Sequence, residues 1–192
     1  MIKFPAIIIS LAVAPGFVSA QVPCPAERIC STLGFSFEAP VEPAWRTEFG
    51  SSVIQFQRVL DPSRATMHAG AIEGRTASLY GTGEELVAKV RGLKSRWGSD
   101  GRYRNIRESF EVEAGLVTCV RYKMAAEDTQ ARSRGAQPFL PLLSVGRFCL
   151  HPQDRRNAVD LYYSIRSSPD YDITKLVAEG EALLSSLKFS SQ

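Results

Sequence analysis

Three runs near the middle of the chain alternate between apolar and polar residues with a period of two: Gly115–Met124, Val145–His151 and Ala158–Arg166. That period predicts β-strands, because successive side chains of a strand point to opposite faces. Leu116, Thr118, Val120, Tyr122 and Met124 share one side of the first run. Phe148 and Leu150 do so in the second, and Val159, Leu161, Tyr163 and Ile165 in the third. The opposite sides carry Cys119, Arg121 and Lys123, then Arg147, Cys149 and His151, then Asp160, Ser164 and Arg166. One apolar and one half-polar face predict an antiparallel sheet with its apolar face roofed by helices.

Further elements surround this centre. Pro23–Leu33 predicts a small cysteine loop with one helical turn. Gly34–Pro40 predicts an aromatic strand closed by proline, and Val41–Gly50 a loop holding Pro43 and Trp45. Ser52–Leu60 and Thr66–Glu73 form a hairpin about the turn signal Asp61-Pro62-Ser63. Thr82 and Glu85 are spaced as a capping box, and Leu86, Val90, Leu93 and Trp97 follow at helical spacing before Gly98. Tyr103–Val112 alternates again. The 125–143 segment predicts an insertion with a polar first half and an apolar second half, a folded-back loop or a partner-binding flap. Ile173, Leu176, Val177, Gly180, Leu183, Leu184 and Leu187 predict a C-terminal amphipathic helix. The order gives an α+β fold.

Residues 1–20 change the picture of the first stretch. Lys3, the short apolar run Ile7–Val13 and Val18-Ser19-Ala20 have the order of a secretory signal peptide, with cleavage expected near Gln21. The remainder, 21–192, suffices for a single domain. It has no second long apolar run, so no integral membrane association is expected after cleavage. A periplasmic or secreted location follows, an oxidising compartment where cysteines pair. Local closure favours Cys24–Cys30, which leaves Cys119–Cys149. The chain holds 23 Lys+Arg against 20 Asp+Glu, a formal net charge of +3. So balanced and scattered a charge argues against a nucleic-acid partner.

Candidate chemistry is sparse. The chain lacks a Gly-x-Ser-x-Gly elbow, a phosphate-binding glycine loop, a His-Glu-x-x-His helix and a Cys-x-x-Cys pair, so no catalytic, cofactor or metal residues are assigned. If Cys119 and Cys149 sit directly opposite, antiparallel counting sets Arg121 against Arg147, and like charges so placed need an anion. That anion is a protein carboxylate (Glu111, Glu113 or Asp160) or a small anionic ligand. His151, with Asp154 close behind, is the one histidine considered for a hydrolase. Arg155 and Arg156 extend a charged turn that either holds an anion or is simply solvated. These five residues, Arg121, Arg147, His151, Arg155 and Arg156, make up a candidate ligand patch.

The opening Gly34-Phe35-Ser36-Phe37 with Pro40 and Trp45, and the close Leu184-Ser185-Ser186-Leu187-Lys188-Phe189 after an amphipathic helix, resemble PsbP-like domains. The resemblance spans most of residues 21–192. It implies an α/β/α sandwich and a family of accessory and binding proteins rather than enzymes. The cysteines and the 125–143 insertion fall outside that pattern, and no site residue is carried over. The expectation is a non-catalytic binding protein for an unknown protein or small ligand. The alternatives are a hydrolase using His151 or an anion binder on the Arg121/Arg147 face.

Overall fold

The structure, a computed structural model, describes residues 28–31, 33–40, 45–50, 52–61, 64–76, 80, 82–95, 101–113, 115, 118–131 and 138–190. The expected signal segment, Cys24, Leu116, Val117, Trp97, Gly98 and residues 132–137 of the expected insertion lie outside them.

The strands form two antiparallel sheets. A small sheet joins β1 (Arg28–Cys30), β2 (Phe35–Glu38) and β10 (Lys188–Phe189) in the order β1-β2-β10. The large sheet has seven strands: β3 (Trp45–Phe49), β4 (Val53–Asp61), β5 (Ala65–Arg75), β6 (Tyr103–Glu113), β7 (Cys119–Asp128), β8 (Leu140–Leu150) and β9 (Asn157–Ser167). Their spatial order is β3-β4-β5-β9-β8-β7-β6. The chain builds one side of this sheet as a meander and crosses over through α1 (Gly83–Lys94). It then returns strand by strand until β9 closes on β5. Helix α2 (Thr174–Ser185) follows. Among the described residues no helix is long and apolar enough to cross a membrane.

Four expectations are corrected. The stretch read as a helical turn contains strand β1, paired to β2 from Arg28↔Glu38 to Cys30↔Ser36. The stretch read as a loop around Trp45 contains strand β3. The 125–143 insertion is shorter than expected, because β7 runs on to Asp128 and β8 starts at Leu140. Its apolar end is folded back: Leu140 and Leu142 are buried in the sheet. Pro141 is tolerated because β9 pairs β8 only from Leu142 onward, so on that side this end of the strand is still an edge.

The fourth correction concerns the faces. Each strand alternates as expected, but β9 sits in the other phase. Its pairing sets Val159 opposite Cys149 and Leu161 opposite Arg147. Val159, Leu161, Tyr163 and Ile165 therefore share the face of Cys119 and Cys149, not that of Val120 and Phe148. Alternation specifies two sides of one strand; only register between strands says which sides coincide.

The two helices consequently lie on opposite faces rather than roofing one. Helix α1 covers Val120, Tyr122, Phe148, Leu150 and Ala158 with Leu86 and Val90. Helix α2, with Phe35 and Phe37 of the small sheet, covers Phe56, Met67, Ala69, the Cys119–Cys149 pair, Leu161 and Tyr163.

Local chemistry explains both helices. The Glu85 N–H donates to Thr82 Oγ1 and the Thr82 N–H to Glu85 Oε2, each at 3.2 Å, the reciprocal cap expected at α1. Its buried stripe is Leu86, Val90 and Lys94, while Leu93 is 41% exposed. Lys94 takes the inward place because Asp160 Oδ2 waits 2.5 Å from its Nζ, which itself lies over the Tyr122 ring, 4.3 Å from its centre. In α2, Asp172 Oδ1 accepts from the Thr174 N–H at 2.9 Å. Gly180 faces the Tyr163 ring so closely that a Cβ there would lie 2.4 Å from it.

Candidate functional site

Cys119 and Cys149 are directly paired across β7 and β8 and joined by a disulfide, so Arg121 does stand opposite Arg147. Each of the two charges is paired with its own protein carboxylate. Arg121 Nη2 donates to Glu181 Oε1 and Oε2 at 2.7 and 2.6 Å. Arg147 Nε donates to Glu113 Oε2 at 2.7 Å and its Nη1 to the Leu184 carbonyl at 3.1 Å. Tyr163 adds its hydroxyl to Glu181 Oε1 at 2.8 Å. The hydrogen bonds that Arg121 donates to Glu181 hold its guanidinium pKa above the ordinary value, against the opposing effect of burial. Of the expected carboxylates, Glu113 fills the role. Asp160 lies on the other face with Lys94 and accepts from the Tyr122 hydroxyl at 2.8 Å. Glu181, from α2, was not foreseen, because a charge on a distant helix has no sequence link to a sheet register.

His151 is fully buried under the small sheet. Its Nδ1 accepts from the N–H groups of Gln153 and Asp154 at 3.2 and 3.1 Å. That leaves the ring proton on Nε2, which faces the Ser190 carbonyl at 3.3 Å. The rings of Phe35 and Phe189 meet the imidazole edge-on at 5.7 and 5.8 Å. Asp154 turns its carboxylate to the Arg156 N–H at 3.1 Å instead of to the ring. Gly34, with φ +85°, brings the backbone so near that a Cβ would lie 2.7 Å from His151 Nε2. These contacts make His151 the core of the junction between the two sheets. Arg155 is half-buried and Arg156 exposed in the turn between β8 and β9. The structure thus brings Arg121 and Arg147 together as part of the α2 anchor. It sets His151, Arg155 and Arg156 at the strand end, under and beside the small sheet.

A concave feature lies elsewhere on the α2 face. It is a cleft of about 220 Å³ between α2, the exit of β2 and the strands β3 and β5. Met67 and Ala69 form its floor, Trp45 and Pro40 one wall, and Glu179, Ala182 and Leu183 the other. Its space has a local cause. Ala65, Met67, Ala69 and Ala71 occupy the inward positions of β5, mostly as small side chains. Ala182, beside them on α2, is also small and exposed. Gly180 seats α2 tightly on Tyr163, while Ala182 of α2 and Ala69 of β5 leave a gap.

The charged groups of the cleft are the carboxylates of Glu38 and Glu179. Glu179 Oε2 takes a hydrogen bond from Arg58 Nη1 at 2.9 Å. Glu179 Oε1 is buried without a hydrogen-bond donor, Lys175 Nζ standing 3.9 Å away. At the far rim, Glu38 is held by Arg28 at 3.1 Å, and its N–H donates to Ser186 Oγ at 2.9 Å. A mostly apolar lining suits a ligand with an apolar body. Among the described residues that line the cleft there is no pairing of a nucleophile with a base. Among the described residues no cluster of three His, Cys, Asp or Glu side chains could hold a metal.

None of the lining residues belonged to the expected patch. The available signal was the run Ala65-x-Met67-x-Ala69-x-Ala71, small residues on one side of a strand, which marks shallow packing beneath a helix. No protein-family model matches the chain, and no curated protein matches it.

Proposed function

We propose that the protein is a non-catalytic binding or accessory protein of an oxidising periplasmic or extracellular compartment, and that the cleft under α2 is its ligand seat. The cleft carries the proposal: it is concave and apolar, floored by Met67 and Ala69 beneath α2. The disulfide between Cys119 and Cys149 is compatible with an oxidising compartment. The engagement of both His151 nitrogens by backbone, and of Arg121 and Arg147 by carboxylates, favours this reading over a hydrolase or an anion binder on that face. The PsbP-like resemblance, an α/β/α arrangement in an accessory family, points the same way.

Trp45 on the cleft wall reports occupancy. A set of small, mostly apolar, uncharged compounds, titrated against the full chain, is expected to shift its fluorescence. Ala182→Trp fills the cleft from an exposed helix position and should abolish binding while leaving the far-UV circular dichroism unchanged. Equal binding by wild type and Ala182→Trp would refute the cleft as the seat.

A further inference from the structure

The large sheet has two edges, and they differ. On β6 the charged residues Arg104, Arg107, Glu108, Glu111 and Glu113 line the strand. Its register with β7 is broken between Arg104 and Arg107, where Asn105 adopts φ 51°. Charge and bulges of this kind prevent edge-to-edge pairing. The β3 edge has no such interruption: Trp45–Phe49 pairs β4 without a break, and every residue after Trp45 is exposed. Among the described residues no strand pairs its outer side. Phe49 there is 72% exposed.

The direction of the β3 backbone follows from its hairpin. The Gly50 N–H donates to the Val53 carbonyl at 2.7 Å, so Gly50 and Val53 form a hydrogen-bonded pair. Pairs of the two kinds alternate along an antiparallel ladder. Glu48 and Arg46 therefore bond to β4, and Trp45, Thr47 and Phe49 turn their N–H and C=O groups to the open edge.

The strand reads Trp-Arg-Thr-Glu-Phe, which is self-complementary when reversed: aromatic, cation, hydroxyl, anion, aromatic. Laid antiparallel on a second copy about Thr47, Arg46 meets the second copy's Glu48 and Trp45 meets its Phe49. The hydrogen-bonded pairs are then Thr47 with Thr47 and Trp45 with Phe49, the residues whose backbone groups point outward. The charged pair falls in the closer, non-hydrogen-bonded positions, with Cα atoms about 4.5 Å apart. A slip to the nearest compatible register on one side sets Arg46 against Arg46, and on the other side Glu48 against Glu48. Like charges directly opposite disfavour both.

We propose that β3 is a homodimer edge, at which two copies join through a two-fold axis at Thr47 into one continuous sheet. Such an isologous contact closes on itself and leaves only the guarded β6 edges outside. It buries Phe49 and places the second copy's Phe49 beside Trp45, so the dimer completes the rim of the cleft. The dimer stands or falls independently of any ligand in that cleft.

The test is sedimentation of the full chain across a dilution series. Wild type should show a monomer–dimer equilibrium. Arg46→Glu and Glu48→Arg should each weaken it about tenfold or more, from two opposed charge pairs per dimer. The double swap R46E/E48R should restore it, and an equimolar mixture of the two single variants should form a heterodimer. Thr47→Pro removes an outward N–H without touching the β4 ladder and should also give monomer. Dependence on positions 46 and 48 separates this contact from association through the apolar Ile7–Val13 run. A wild type that stays monomeric throughout, as expected if the edge instead receives an extended segment of another protein, overturns the proposal. So does a dimer indifferent to both charge reversals.

Discussion

Single side chains set how closely α2 can sit. A Cβ at Gly180 would lie 2.4 Å from the Tyr163 ring, whereas one at Gly92 of α1 would meet nothing within 4 Å. Gly92→Ala is therefore expected to stabilise by roughly 0.5–1 kcal/mol through helix propensity. Gly180→Ala should destabilise by roughly 1–3 kcal/mol despite the same propensity, because the helix must move off the ring. Urea melts of the two variants check the pair, and equal shifts would mean that the close approach does not matter. Titrating side chains add a pH dependence. Tyr122, Tyr162 and Tyr163 are all pushed above the ordinary 10.0, by burial first, with Asp160 or Glu181 adding to it. The unfolded chain releases these protons at about 10 while the fold retains them. Their stabilisation is complete below pH 10 and declines as pH rises further. His68 is lowered from 6.5 by burial, then by Arg166 and Arg102. Here the unfolded chain takes up a proton that the fold resists, so stability declines as pH falls below about 6.5. Denaturation midpoints across pH should fall on both sides of a plateau, and His68→Gln should flatten the shallow acid limb.

At the level of elements, the anchor of α2 and the staple of β7 to β8 lie in one neighbourhood. The disulfide closes a separation of 30 residues and sits in the core under α2, with Cys149 fully buried. Replacing both cysteines by alanine is expected to cost about 3–4 kcal/mol by the loop-entropy relation. The melting temperature of C119A/C149A, compared with wild type with and without reductant, checks this. A variant that melts like the oxidised wild type would show that the Arg121–Glu181 and Arg147–Glu113 bonds hold the register by themselves. Helix α1 is pinned differently. Its Lys94 reaches the Asp160–Tyr122 pair in an apolar setting, so its position depends on charge as well as on Leu86 and Val90.

Across the whole molecule, the central strands serve two cores at once. Tyr163 belongs to the α2 side and Tyr162 packs against the α1 side, one residue apart on β9. Neither core can dissolve without releasing strands of the other. Unfolding should therefore be one transition, with far-UV circular dichroism and tryptophan fluorescence tracing the same curve. Separated curves would show the two layers melting independently. Closure of the sheet also requires Ala65 to find Ser167 and Arg75 to find Asn157. With pairings that distant in sequence, folding is expected in the millisecond-to-second range, measurable by stopped-flow.

Much of this was legible along the chain because it is written in short-range pattern. Periods of two gave the strands at 53–61, 103–113 and 157–167, and Thr82 with Glu85 marked the start of α1, since both depend only on neighbours a few residues apart. Cysteine spacing singled out Cys119 with Cys149. Three things had no local signature. The phase of β9 against β8 put Val159 with the cysteines, and it is chosen by which side chains two helices can bury together. Glu181 became the partner of Arg121 only because α2 crosses that face. The cleft exists because small residues of β5 and α2, more than a hundred positions apart, come to lie under one another. Patterning decides which residues make a strand or helix; the docking of those elements decides which faces meet, and so which side chains are left to bind anything.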